Sequence, residues 1–117
     1  MPQPGSVFQL VGDGHHCWIV ISLVRNGTVL AVNITDVKHS PDSPCKLNVG
    51  DHPHITKPSV AYFRKAREFD AQSIDREIQA GIAVRQLPDC RPDVLQRIID
   101  GAKIADDLTC RFLEYLR

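Results

Sequence analysis

Residues 17–34 read CWIVISLVRNGTVLAVNI, and the fold turns on how this stretch divides. Two continuous runs of β-branched and aromatic residues flank Asn26-Gly27, a pair with the composition of a tight hairpin turn. The stretch is therefore read as two antiparallel strands, 17–24 and 27–34. Upstream, SVFQLV (6–11) alternates and adds a first strand, which makes a three-stranded meander. The loop between the first two strands, GDGHH (12–16), is broken by glycine and places His15 and His16 at a loop-to-strand junction.

Downstream, KHSPDSP (38–44) has the proline, serine and aspartate content of an exposed loop. CKLNV (45–49) and SVAYFRKAREF (59–69) are expected to be further strands, the latter with Val60, Tyr62 or Phe63, and Ala66 turned inward. Five or more short strands with little helix between them suggest a small barrel or sandwich. After Phe69 the apolar period becomes helical. DAQSIDREIQAG (70–81) starts with an aspartate N-cap and ends on a glycine C-cap. RPDVLQRIIDGAK (91–103) has proline in its first turn and Val94, Leu95, Ile98, Ile99 and Ala102 on one face, with Gly101 either ending the helix or weakening its middle. DDLTCRFLEYLR (106–117) presents Leu108, Phe112 and Leu116 at four-residue steps. The expected fold is mainly β with C-terminal helices (α+β), a strongly bent barrel occupying residues 1–117 as one domain. Helices gathered at one end argue against a parallel βαβ sheet.

The chain has 117 residues, 43% of them hydrophobic, with 14 basic against 14 acidic side chains. A zero balance excludes coating of nucleic acid by bulk charge, so a polyanion would have to be met by a local patch. No apolar run approaches the ~20 residues of a membrane span, and the N-terminus lacks the order of a signal peptide. A cytoplasmic location and no membrane partner are expected. Cys17, Cys45, Cys90 and Cys110 form no Cys-x-x-Cys pair and read as reduced core thiols.

All five histidines precede residue 60, so the groups that titrate near neutral pH are confined to the first half. GDHPHITKPS (50–59) carries two of them with Lys57 and Ser59. It reads either as a site or as a rigid polar turn, and His15-His16 either as site residues or as solvated loop. Zinc ligation by Cys45, His52 and His54, completed by His16 or Cys17, is a third possibility, although Cys-x6-His-x-His is not a familiar ligand spacing. Trp18 and Phe63 are assigned to the core, whereas Tyr62, with its polar tip, suits base stacking.

The order of these elements resembles the PemK/MazF-like toxins of bacterial toxin-antitoxin pairs. PGSVFQL (4–10) resembles their opening strand, HHCWIVIS (15–22) their second, VLAVNITDV (29–37) the strand ending in threonine, and KPSVAYFRKAREFDAQSI (57–74) the serine-valine strand that leads to a helix. The segment SPDSPCKLNVGDHPHITK (40–57) has no counterpart in the resemblance. Where the family carries an arginine before the second strand, this chain has His16 and Cys17.

The resemblance implies an SH3-like barrel, usually a homodimer, that cuts single-stranded RNA without a metal or other cofactor and is bound by an antitoxin-like protein. It implies a catalytic role for Thr35, and it puts His16, the first catalytic candidate by its acid/base chemistry, at the place of the family's catalytic arginine. Acid/base cleavage of RNA needs two proton-transfer groups, and histidine supplies both forms near neutral pH. His54 is therefore added to the catalytic set, with His15, His52, Lys57, Ser59 and Tyr62 as substrate-binding residues. Because a titratable ring stands where the family has a permanent cation, a non-catalytic barrel that binds a protein or nucleic acid is the alternative.

Overall fold

The Asn26-Gly27 turn forms as expected. Asn26 has φ 53° and Gly27 φ 81°, and Arg25 and Thr28 exchange backbone hydrogen bonds of 2.8 and 3.1 Å, the geometry of a turn with two left-handed central residues. In the computed structural model, which describes residues 2–12, 14 and 16–117, this hairpin sits at the middle of a six-stranded antiparallel sheet. The strands are β1 (Val7–Leu10), β2 (Cys17–Val20), β3 (Thr28–Asp36), β4 (Lys46–Leu47), β5 (Ser59–Asp70) and β6 (Val84–Leu87), in the spatial order β4-β5-β3-β2-β1-β6. β2 stops at Val20 rather than 24. Beyond Ile21 the ladder passes to a side chain, the Ser22 hydroxyl accepting from the Leu30 N–H at 2.9 Å.

The apolar runs of β2 and β3 are continuous because both faces of the sheet are covered. Ile19, Ile21, Leu30 and Val32 face one core with Val94, Ile98 and Ala102 of α2 (Pro92–Ile104). Trp18, Val20, Val29 and Ala31 face a second core with Ala71 and Ile74 of α1 (Ala71–Ala80). Asp70 caps α1 by accepting from the Ser73 N–H at 2.8 Å, as its position in the sequence implies.

Curvature comes from β5, which pairs with β3 in two registers. Ser59–Tyr62 pair with Asp36–Asn33 and Arg67–Asp70 with Ala31–Thr28, so two steps along β3 (Ala31 to Asn33) match five along β5 (Tyr62 to Arg67). The three surplus residues bulge and bend the strand. The sheet accordingly curls into a half-barrel, and within the bulge it is Phe63, not Tyr62, that enters the core.

Two expectations are corrected. The C-terminal helices are interrupted by a strand, because β6 lies between α1 and α2 and returns to pair with β1. The C-terminal segment is not one amphipathic helix but a short α3 (Cys110–Leu113) followed by a 3-10 turn, Glu114–Leu116. Leu108 is buried and Phe112 and Leu116 pack on the core, while Tyr115 is tied to Thr28 by a hydroxyl contact of 2.6 Å. Of the cysteines, Cys45 and Cys90 are buried, Cys17 is half-buried and Cys110 is exposed, against its assignment to the core.

Gly101 neither ends α2 nor weakens it idly. It lies inside the helix and buried, where a Cβ would meet Cys45 Cβ at 3.0 Å and Phe63 Cζ at 3.2 Å. Glycine therefore sets the distance between α2 and the sheet. Gly101→Val is expected to destabilise the fold by about 1–3 kcal/mol through overpacking, read from urea unfolding. An unchanged midpoint would show that the helix can shift outward freely.

Candidate functional site

The half-barrel closes around a cavity of about 240 Å³ that collects side chains from three parts of the chain: His16 at the start of β2, Thr35 and Asp36 at the end of β3, and His54, Lys57 and Ser59 from the loop leading into β5. The sharp bend of the sheet brings these segments together. Of the residues expected at a site, His16, Thr35, His52, His54, Lys57 and Ser59 line this cavity. Tyr62 lines an adjoining shelf of about 410 Å³ that shares His16, Thr35 and His39 with it. His15 lies outside the described residues.

His16, just before β2, and His52, in the loop before β5, are held in different ways. His16 is half-buried, and its Nδ1 lies 3.3 Å from the Ile34 carbonyl. A carbonyl can only accept, so Nδ1 carries the hydrogen and Nε2 of the neutral ring is left as an acceptor. A proton acceptor fixed by a backbone partner is the arrangement a general base requires.

His52 is only 4% exposed. Its Nε2–H donates to the Pro88 carbonyl at 2.7 Å, and its Nδ1 accepts from the His54 N–H at 3.2 Å. Both nitrogens are committed to backbone, which leaves none for a substrate. His52 therefore positions the loop, and the exposed ring that this loop presents is His54, 5.8 Å from it between centroids.

Lys57 pairs with Asp36 at 3.1 Å. The Lys38 backbone N–H, and after it Lys57, hold the Asp36 carboxyl below the usual carboxylate range. Thr35, 7% exposed, lies beside this pair on the same strand. Asp36, which caps the turn Val37–His39, and His39 at the rim of both cavities were not picked out from the sequence. The restriction of every histidine to the first half was the one available signal for His39.

Burial raises the Cys17 thiol, and raises Cys45 and Cys90 to about 11 each, which makes them poor nucleophiles and ligands. Cys45 points into the core rather than toward His54. Among the described residues no three histidine, cysteine or carboxylate side chains gather as a metal site, so the zinc set Cys45, His52, His54 and His16 or Cys17 is not assembled.

The loop is anchored from outside by Asp51. Its carboxylate accepts from the Asn48 N–H at 2.7 Å and from Arg97 of α2 at 2.9 Å, with Arg91 at 3.7 Å. The hydrogen bond from Arg97 is the chief cause of its lowered pKa. A carboxyl lowered in the folded state stabilises above the ordinary carboxylate range and loses that contribution as pH falls through its folded value. Asp51→Asn is thus expected to cost about 1–3 kcal/mol at pH 7, in part screened by solvent, and less at about pH 2, as the carboxyl takes up its proton. Urea unfolding at the two pH values checks this, and equal deficits at both would contradict it.

A curled antiparallel half-barrel backed by a long helix, with its cavity at the strand ends, is a small SH3-like fold, and in this chain it is of MazF/PemK-like type. Two solved structures show the likeness, both crystal structures of MazE-MazF from Deinococcus radiodurans. In Form II the matched chain is 18% identical, with a TM-score of 0.58 over 92% of this chain and 97% of that one. In Form III it is 18% identical, with a TM-score of 0.54 over 86% and 91%. No family model matches the sequence, and no curated protein matches it either. Among the described residues no helix is long and apolar enough to cross a membrane.

Proposed function

We propose that this protein is a toxin-type, metal-independent endoribonuclease that cleaves single-stranded RNA at the cavity between β2, β3 and the loop before β5. The observation that carries the reading is the fixed His16 ring, its Nε2 free to accept, lining one cavity with His54 and Thr35. Nε2 of His16 takes the 2′-hydroxyl proton as the 2′-oxygen attacks phosphorus. The bond to the 5′-oxygen breaks as protonated His54 gives that oxygen its proton. The products are a 2′,3′-cyclic phosphate and a 5′-hydroxyl. Thr35 donates to a non-bridging oxygen, and Ser59 and Lys57 border the phosphate path.

The likeness to MazE-MazF structures supports an antitoxin-like protein partner, and a homodimeric state and a cytoplasmic setting are proposed with it. Incubation of mixed single-stranded RNA with the purified protein in excess chelator tests the reading, with fragments bearing cyclic phosphate expected. The pairing of Lys57 with Asp36, which offsets the cation at the cavity, favours a second reading as a non-catalytic binding barrel. Saturable RNA or protein binding with no cleavage at high protein concentration would select it.

A further inference from the structure

Asp36, the last residue of β3, and Lys57, two residues before β5, both line the cavity and meet there at 3.1 Å. Among the described residues that line it, Lys57 is the one permanent cation and Asp36 the one carboxylate. The single fixed positive charge at the cavity is therefore spent on a neighbour. A pair with one partner this exposed adds little to stability, so the fold does not require it.

The two partners are held unequally. Asp36 is fixed twice, by the pairing of its backbone with Ser59 in the ladder between β3 and β5 and by its Oδ1, which accepts from the Lys38 N–H at 2.9 Å. Its side chain is 17% exposed. Lys57 is fixed only in its backbone, where its carbonyl accepts from the Ser59 hydroxyl at 2.8 Å. Its side chain is 63% exposed, and among the described residues its ammonium pairs with no carboxylate other than Asp36. An ammonium on a flexible stem can turn to another anion while the carboxylate stays in place. The Asp36 oxygen beside it occupies the position that a phosphate oxygen would take in a charge-assisted hydrogen bond.

Resting on the nuclease reading above, we infer that Asp36 is an internal competitor for the RNA phosphate, holding Lys57 in the free protein and setting the affinity of the cavity below what its own cation would give. Asp36 is a positioning residue in this account, since it acts on RNA through Lys57. RNA engages Lys57 by drawing the ammonium away from Asp36, and the energy of the broken pair is subtracted from binding.

The test measures binding of a mixed-sequence, single-stranded 2′-O-methyl oligonucleotide by fluorescence anisotropy at low salt. Asp36→Asn keeps an oxygen for the Lys38 N–H and removes only the charge. It is expected to bind about three- to tenfold more tightly than the wild type. Asp36→Ser, another capping residue without charge, should show the same gain and keeps the comparison valid should the asparagine variant unfold. In a Lys57→Gln background the same substitutions should gain about twofold at most, because the cation they release is gone.

Weaker or unchanged binding by both Asp36 variants, or no binding by any form of the protein, would overturn the competition. So would a gain of equal size in the Lys57→Gln background, since Asp36 would then repel RNA directly and not through Lys57. The oligonucleotide has no free 2′-hydroxyl, so the outcome is independent of cleavage. A Lys57-dependent gain in a protein that cuts no ordinary RNA retains the competition and removes the nuclease. Cleavage by the wild type without that gain does the reverse.

Discussion

The expected result of replacing His16 by alanine is a fall of about 10²–10⁴-fold in single-turnover RNA cleavage, the range for loss of a general base. The fold should survive, because the half-buried ring makes one long hydrogen bond, 3.3 Å to the Ile34 carbonyl. His54→Ala should also depress cleavage, and because His54 is exposed its removal should leave the unfolding midpoint unchanged. The loss in the His16 variant should appear in the rate constant at saturating RNA rather than in the binding constant, since the ring acts on a proton and not as a clamp. Full activity in both variants would remove these residues from the mechanism.

The largest stability effect is expected at Phe69. Its ring meets Phe8 and Trp18 edge-on, both at 5.1 Å between centroids, and carries the Arg67 guanidinium at 4.6 Å. Phe69→Ala opens a cavity in the core between sheet and α1, at a cost of about 3–5 kcal/mol. Domains of this size are stable by about 5–15 kcal/mol in all, so the variant should sit near its unfolding transition. Guanidinium unfolding reads the difference, and a deficit below about 1 kcal/mol would mean that this second core is loosely packed.

The hairpin was legible because its signal is local: Asn26 and Gly27 accept the positive φ that a two-residue turn imposes, and few other residues do. The apolar runs were legible as strands, but their continuity, produced by helices covering both faces, could have been read further. β6 was not legible. Val84–Leu87 is four residues long, buries only its two end positions, and becomes a strand only because β1 offers it an edge. The three-residue register shift in β5 is likewise a property of the pair and not of either strand.

Residues that line the cavity were legible in the sequence, and how each is held was not. His52 and His54 are indistinguishable in GDHPHITKPS, and what separates them is the carbonyl of Pro88, thirty-six positions away.

In the proposed reaction the imidazole-lined cavity cuts RNA by way of the RNA's own 2′-hydroxyl. The most direct measurement is end-group analysis of single-stranded RNA incubated with excess protein and chelator. The prediction is fragments ending in 2′,3′-cyclic phosphate and beginning with 5′-hydroxyl, absent when the RNA is 2′-O-methylated throughout. Intact RNA under these conditions, or cutting that persists on the methylated substrate, would contradict it.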